Sequence, residues 1–123
     1  MSGFFVHLAV GVTLFFIGKY FFKKYFEDNS KGEILLFISC VSFSILPDVF
    51  LGIYYTTYIL TFNAILPYHN LFHIILCIIA LIGLIILNLK PKTTRHPILI
   101  MGFIAITLHF IMDLFVPETG MWI

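Results

Sequence analysis

Apolar residues fill four long runs in this chain, Gly3 to Phe22, Ile34 to Leu60, Leu71 to Leu89 and Pro97 to Val116, and the polar stretches between them are short. A helix of about 20 predominantly apolar residues crosses about 30 Å of hydrocarbon, so each run is long enough to span a bilayer. Lys19, near the end of the first run, can extend its ammonium to the interface. The second run is interrupted by Pro47-Asp48. Proline lacks a backbone donor and breaks or kinks a helix there. The pattern therefore predicts a spanning helix from about Glu33 to Leu46 and a tilted or interfacial helix over Val49 to Leu66. Tyr54, Tyr55 and Tyr58 suit the headgroup level. Pro67-Tyr68-His69-Asn70 is expected to open the third span, and Pro117 to end the fourth, with Trp122 as an interface residue in the tail. The expected fold is an all-α integral membrane protein, a bundle of four transmembrane helices with an additional interfacial or tilted helix after Pro47. Residues 1–123 are read as a single transmembrane helical domain.

Composition sharpens this picture. The chain is 61% hydrophobic and 11% charged, with a mean hydropathy of +1.08, far from the roughly 25% charged residues of soluble domains. A formal net charge of +1 argues against nucleic acid, whose phosphates require a concentrated basic surface. Cys40 and Cys77 both lie inside apolar runs, without the spacing of a disulfide framework or a zinc ribbon, and read as small core residues. All seven Lys and Arg residues, Lys19, Lys23, Lys24, Lys31, Lys90, Lys92 and Arg95, fall at or in the loops after the first and third runs. The positive-inside rule then places those loops in the cytoplasm and both termini outside it, in a cell (inner or plasma) membrane. A fifth span between Asp48 and His69 would destroy that agreement. The first run has its lysines after it rather than before it, which favours an anchor over a cleaved signal.

The ionisable residues inside the runs carry the candidate chemistry. His109 and Asp113 are four positions apart, so their Cβ atoms lie about 6 Å apart on one helix face. His69 and His73 repeat the spacing. Counted at about 1.5 Å per helical residue, His7, Asp48, His69, His73, His109 and Asp113 all reach the outer third of the membrane, while His96 is the one histidine on the basic side. Ionisable groups at such depth are costly and tend to face a bundle interior or a wet cavity. Paired ligands at i, i+4 are how a helix offers two groups to one metal. Four histidines and two aspartates make a mixed N and O ligand set that suits a divalent metal, zinc best, with iron, manganese or nickel as alternatives. Each residue also has a plainer reading. His7 or His69 can be interfacial, Asp48 can cap the helix after Pro47, and Asp113 can neutralise His109 as a structural ion pair. Gly11, one turn from His7, is expected to let a neighbouring helix approach closely.

Taken in order, His7-x3-Gly11, Leu46-Pro47-Asp48, His69-x3-His73, His109-x3-Asp113 and Gly120 resemble the YdjM-type family of membrane-bound metal-dependent hydrolases. That family looks related to zinc-dependent phospholipase C and the fungal single-strand nucleases. The resemblance covers nearly the whole chain. It departs after His69, where the family has Arg and Gly and this chain has Asn70-Leu71, and after Asp113, where Leu114-Phe115-Val116 replace polar residues. It implies metal ligation, by one to three ions, through His7, Asp48, His69, His73, His109 and Asp113, with Asp48 bridging. Asp48, His73, His109 and Asp113 are the implied catalytic set. The implied reaction is hydrolysis of a phosphoester, such as a lipid headgroup, at the extracytoplasmic face; Glu118 is the nearest further carboxylate. Two other classes remain open from the residues alone: ion or proton relay through the His/Asp cluster, and haem binding with His73 and His109 as axial ligands. A scaffold that keeps the fold without activity is a further possibility.

Overall fold

Helix α1 (Phe4–Phe21) buries His7, Gly11, Leu14 and Gly18, a single stripe at helical spacing. That stripe packs on α3 (Ser30–Ile45), which the short α2 (Lys23–Phe26) precedes. The computed structural model describes residues 3–57, 59–89 and 95–115. α3 starts where the Asn29 side chain accepts a hydrogen bond from the Gly32 N–H at 2.9 Å, satisfying one of the donors that a helix start leaves unpaired. After Ile45 the chain tightens into a 3-10 turn at Leu46–Asp48, where Pro47 has no backbone donor to offer, and resumes as α4 (Val49–Thr57). α5 (Phe62–Leu89) and α6 (His96–Phe115) complete the bundle.

α3 is the central helix, packed against both α1 and α6; α5 lies outside, against α6 and α4. Leu14, Phe26, Leu36, Cys40, Met101 and Ala105 form the apolar core. The Ser39 hydroxyl donates to the Ile98 carbonyl at 3.0 Å and ties α3 to α6. Gly11 sets the approach of α1 and α3: a Cβ there would lie 2.9 Å from the Val41 Cα and 3.0 Å from the Cys40 carbonyl oxygen. The expected close approach at Gly11 is therefore observed; the nearest atom is the Ser44 Oγ at 2.5 Å, and the other two obstacles are backbone.

Four helical segments, Phe4–Phe21, Ser30–Thr57, Phe62–Asn88 and His96–Phe115, are long and apolar enough to cross a membrane. The described residues contain no strand. Burial is distributed as lipid demands. Ile74, Ile78, Ile82 and Ile85 are exposed on the outside of α5, whereas His7, Asp48, His69, His73 and His109 are buried. A protein in water inverts that arrangement; one in hydrocarbon keeps its polar groups inside.

The helix boundaries around Pro67 differ from the expected ones. The helix after Pro47 ends at Thr57 rather than Leu66, and α5 begins at Phe62, with Pro67 inside it. Proline leaves the Asn63 carbonyl without its usual helical donor, but Asn63 is exposed, so that loss is not compounded by burial. Aromatic contacts favour the helix: Tyr54 meets Phe62 with centroids 5.8 Å apart, and Phe50 meets Phe72 at 5.2 Å. Together they seat the first turns of α5 on α4. α3 also starts three residues before the expected Glu33, at the Asn29 cap.

Candidate metal centre

Each functional side chain is delivered by a different local device. His7 and His109 sit on the buried stripes by which α1 and α6 face α3. Asp48 is turned inward by the 3-10 turn that Pro47 opens, and is buried. His69 and His73 share the inner face of α5, and Asp113 follows His109 one turn later on α6. All six lie at the end of the bundle away from the Lys19–Glu33 salt bridge, which joins α1 and α3 at 2.9 Å.

The ring orientations are set by backbone acceptors. His109 Nδ1 donates to the Ser44 carbonyl at 2.6 Å, and His73 Nδ1 donates to the His69 carbonyl at 3.1 Å. A carbonyl only accepts, so each Nδ1 carries a hydrogen and each neutral ring presents a lone pair at Nε2. Those two Nε2 atoms face each other at 3.0 Å. Asp113 Oδ2 lies 3.1 Å from His73 Nε2 and 3.3 Å from His109 Nε2. Asp48 Oδ1 lies 3.6 Å and 3.5 Å from the same two atoms, and 3.8 Å from His69 Nε2. His7 completes the ring of groups, stacked on His109 with centroids 3.7 Å apart. Its Nε2 is 3.5 Å from both Asp48 Oδ2 and Asp113 Oδ1, the opposite oxygens of the two carboxylates.

Positive charge, from a metal ion or from protons on the histidines, would relieve this crowding of acceptors. No Lys or Arg occurs between residues 34 and 89 or between 96 and 115, so no long cationic side chain of those helices can supply it. One proton can bridge one N···O or N···N pair. It leaves the other lone pairs opposed, and Asp48 Oδ1, although buried, has no hydrogen-bond partner. A divalent ion answers all of them together. Zinc bonds of about 2.0–2.1 Å to N and O make a tetrahedron whose edges are about 3.3–3.4 Å. The edges among His73, His109, Asp48 and Asp113 run from 3.0 to 3.6 Å where given above, and the four ligand atoms lie within 4.8 Å of one another. The donor set thus fits a metal ion. The backbone bonds from Nδ1 are the outer contacts that fix the tautomer of a ligating histidine.

Every residue singled out from spacing and depth is in this cluster: His7, Asp48, His69, His73, His109 and Asp113. His96 is buried at the start of α6, remote in sequence from the others. Cys77 is half-buried and belongs to no metal-holding group among the described residues. Glu118, Gly120 and Trp122 lie outside the described residues. A haem between His73 and His109 does not fit: their Nε2 atoms are 3.0 Å apart and share Asp113, leaving no slot for a macrocycle. Ser44 contributes through its carbonyl, and Asn70 lines the groove beside the cluster. Neither was foreseen, since a backbone acceptor has no residue-type signature.

The fold and the site define an all-helical membrane protein with a buried His/Asp cluster able to hold a metal ion. The chain matches no family model, no curated protein and no solved structure.

Proposed function

We propose that this protein is a membrane-embedded, metal-dependent hydrolase acting on a phosphoester at the extracytoplasmic face. The observation that carries the reading is the convergence of His73 Nε2, His109 Nε2, Asp113 Oδ2 and Asp48 Oδ1 at the edge lengths of a metal coordination shell. Zinc is the favoured ion, because a mixed imidazole and carboxylate donor set suits it. Asp48 and Asp113 each turn a second oxygen toward His7, so these two carboxylates and His7 would be the residues to hold a second ion. His69 extends the shell at Asp48 Oδ1. When bound, the metal would activate water as a nucleophile near neutral pH and polarise the phosphoryl oxygen. Asp48, His73 and His109 are buried and Asp113 is partly buried. Hydrolysis joins a water oxygen to phosphorus and breaks the ester P–O bond, with one water proton ending on the leaving oxygen.

Three further considerations support the reading. The ordered motifs resemble those of the membrane-bound metal-dependent hydrolases. The basic loops, assigned to the cytoplasm by the positive-inside rule, place the cluster at the opposite surface. Ion relay needs ionisable groups continuing through the membrane, and the cytoplasmic halves of the spans carry almost none.

The test uses sealed right-side-out membrane vesicles, zinc and a membrane-impermeant chromogenic phosphodiester. Hydrolysis should be equal before and after permeabilisation and absent from vesicles carrying the His109→Ala variant. Activity that emerges only after permeabilisation reverses the orientation. Zinc-loaded protein that leaves a range of phosphodiesters untouched sinks the hydrolase reading.

A further inference from the structure

A groove of about 400 Å³ opens between α5 and α6 directly beside the cluster. Its lining is of two kinds. His73, Asp113 and Asn70 bring polar atoms to it, and Ile74, Phe110 and Leu114 bring hydrocarbon. Ile74 is 51% exposed and Leu114 65% exposed, so the rim lies on the outer surface of the bundle, where acyl chains pack in a bilayer. Asn70 is exposed at the mouth, and its amide is free of the ligand shell. Tyr68, one turn or less away and also exposed, has the amphipathic ring that settles at the headgroup level.

A ligand that satisfies both linings carries a phosphate and an aliphatic chain on one molecule. A soluble phosphoester uses only the polar wall. The surrounding bilayer supplies the amphiphile at the required depth, without passage through water. Resting on the metal-dependent reading above, we propose that the α5–α6 groove admits a membrane phospholipid sideways from the leaflet opposite the basic loops. Its phosphate lies against the metal cluster, the Asn70 amide donates to a phosphate oxygen, and an acyl chain runs out past Ile74 and Leu114. Asn70 is then a substrate-binding residue that fixes the headgroup.

A photo-crosslinking amino acid placed singly at Ile74, Leu114 or Ile82 in the full chain tests this. Ile82 is 51% exposed on the same helix, about two turns from Ile74, and reports ordinary lipid contact. The protein is reconstituted with zinc in equimolar phosphatidylglycerol and digalactosyldiacylglycerol, which share acyl chains and differ in phosphate. Crosslinks at Ile74 and Leu114 should favour phosphatidylglycerol about threefold over the Ile82 control, the ratio expected for one net hydrogen bond. Asn70→Ala should lower that enrichment while zinc content stays unchanged. Equal lipid ratios at the three positions in zinc-loaded protein overturn the lateral groove alone, as does crosslinking at Leu114 to a second copy of the chain. Protein that retains no zinc overturns the metal reading and, with it, this one.

Discussion

Replacing Asp48 by asparagine removes most of the gain in thermal stability that the wild-type protein shows on adding zinc. The wild type, stripped with chelator and then given zinc at about 100 times its dissociation constant, gains about 2.7 kcal/mol through ligand linkage. Asparagine keeps the shape of Asp48 and removes its charge. Oδ1 of Asp48 stands 3.5–3.8 Å from the Nε2 atoms of three histidines, and Oδ2 stands 3.5 Å from His7. Losing an outer partner of a metal ligand costs about 10–100-fold in affinity; losing this carboxylate should cost about 100-fold or more. The variant should therefore gain no more than about 0.4 kcal/mol at the same concentration. Differential scanning fluorimetry in detergent, with and without zinc, reads the effect. A cluster that is only a network of structural ion pairs behaves differently: Asp48→Asn would lower stability by the same amount in both conditions, and zinc would move neither protein.

Gly11→Leu should damage the site from a distance. Its Cβ alone would meet the Val41 Cα at 2.9 Å and the Cys40 carbonyl at 3.0 Å. Neither can rotate away, so α1 must move off α3. Overpacking of this kind costs about 1–3 kcal/mol. His7 lies one turn along the same stripe and depends on that spacing for its stack on His109 and its 3.5 Å approach to Asp48. The variant should melt at a lower temperature and bind zinc more weakly. Gly83→Leu is the comparison. There the three atoms nearest the new Cβ all belong to the ring of Phe103, a side chain outside the His/Asp cluster, so zinc affinity should hold. Unchanged zinc affinity in Gly11→Leu would show that α1 does not position the site.

Much of this site is legible in the sequence because helices convert spacing into geometry. The i, i+4 pairs His69/His73 and His109/Asp113 had to share faces. The rise per residue put His7 and Asp48 at their depth, and Pro47 had to end α3 next to Asp48. What spacing does not carry is the pairing order of the helices or the identity of the acceptors. That α3 is central follows from Gly11, Ser39 and Gly102, small groups whose close contacts appear only when the partner helix is in place. The tautomers of His73 and His109 are fixed by the His69 and Ser44 carbonyls, which every residue type offers alike. Pro67 misled for a related reason. A local rule that proline ends helices lost to the Tyr54–Phe62 and Phe50–Phe72 contacts between elements.

The His/Asp cluster is proposed to hold a divalent metal. Elemental analysis of the detergent-purified protein, prepared without chelator, beside the His109→Ala, Asp113→Ala double variant tests it most directly. The wild type should carry stoichiometric divalent metal, zinc foremost, and the variant only background. Metal-free wild type, or equal metal in both proteins, would contradict the account.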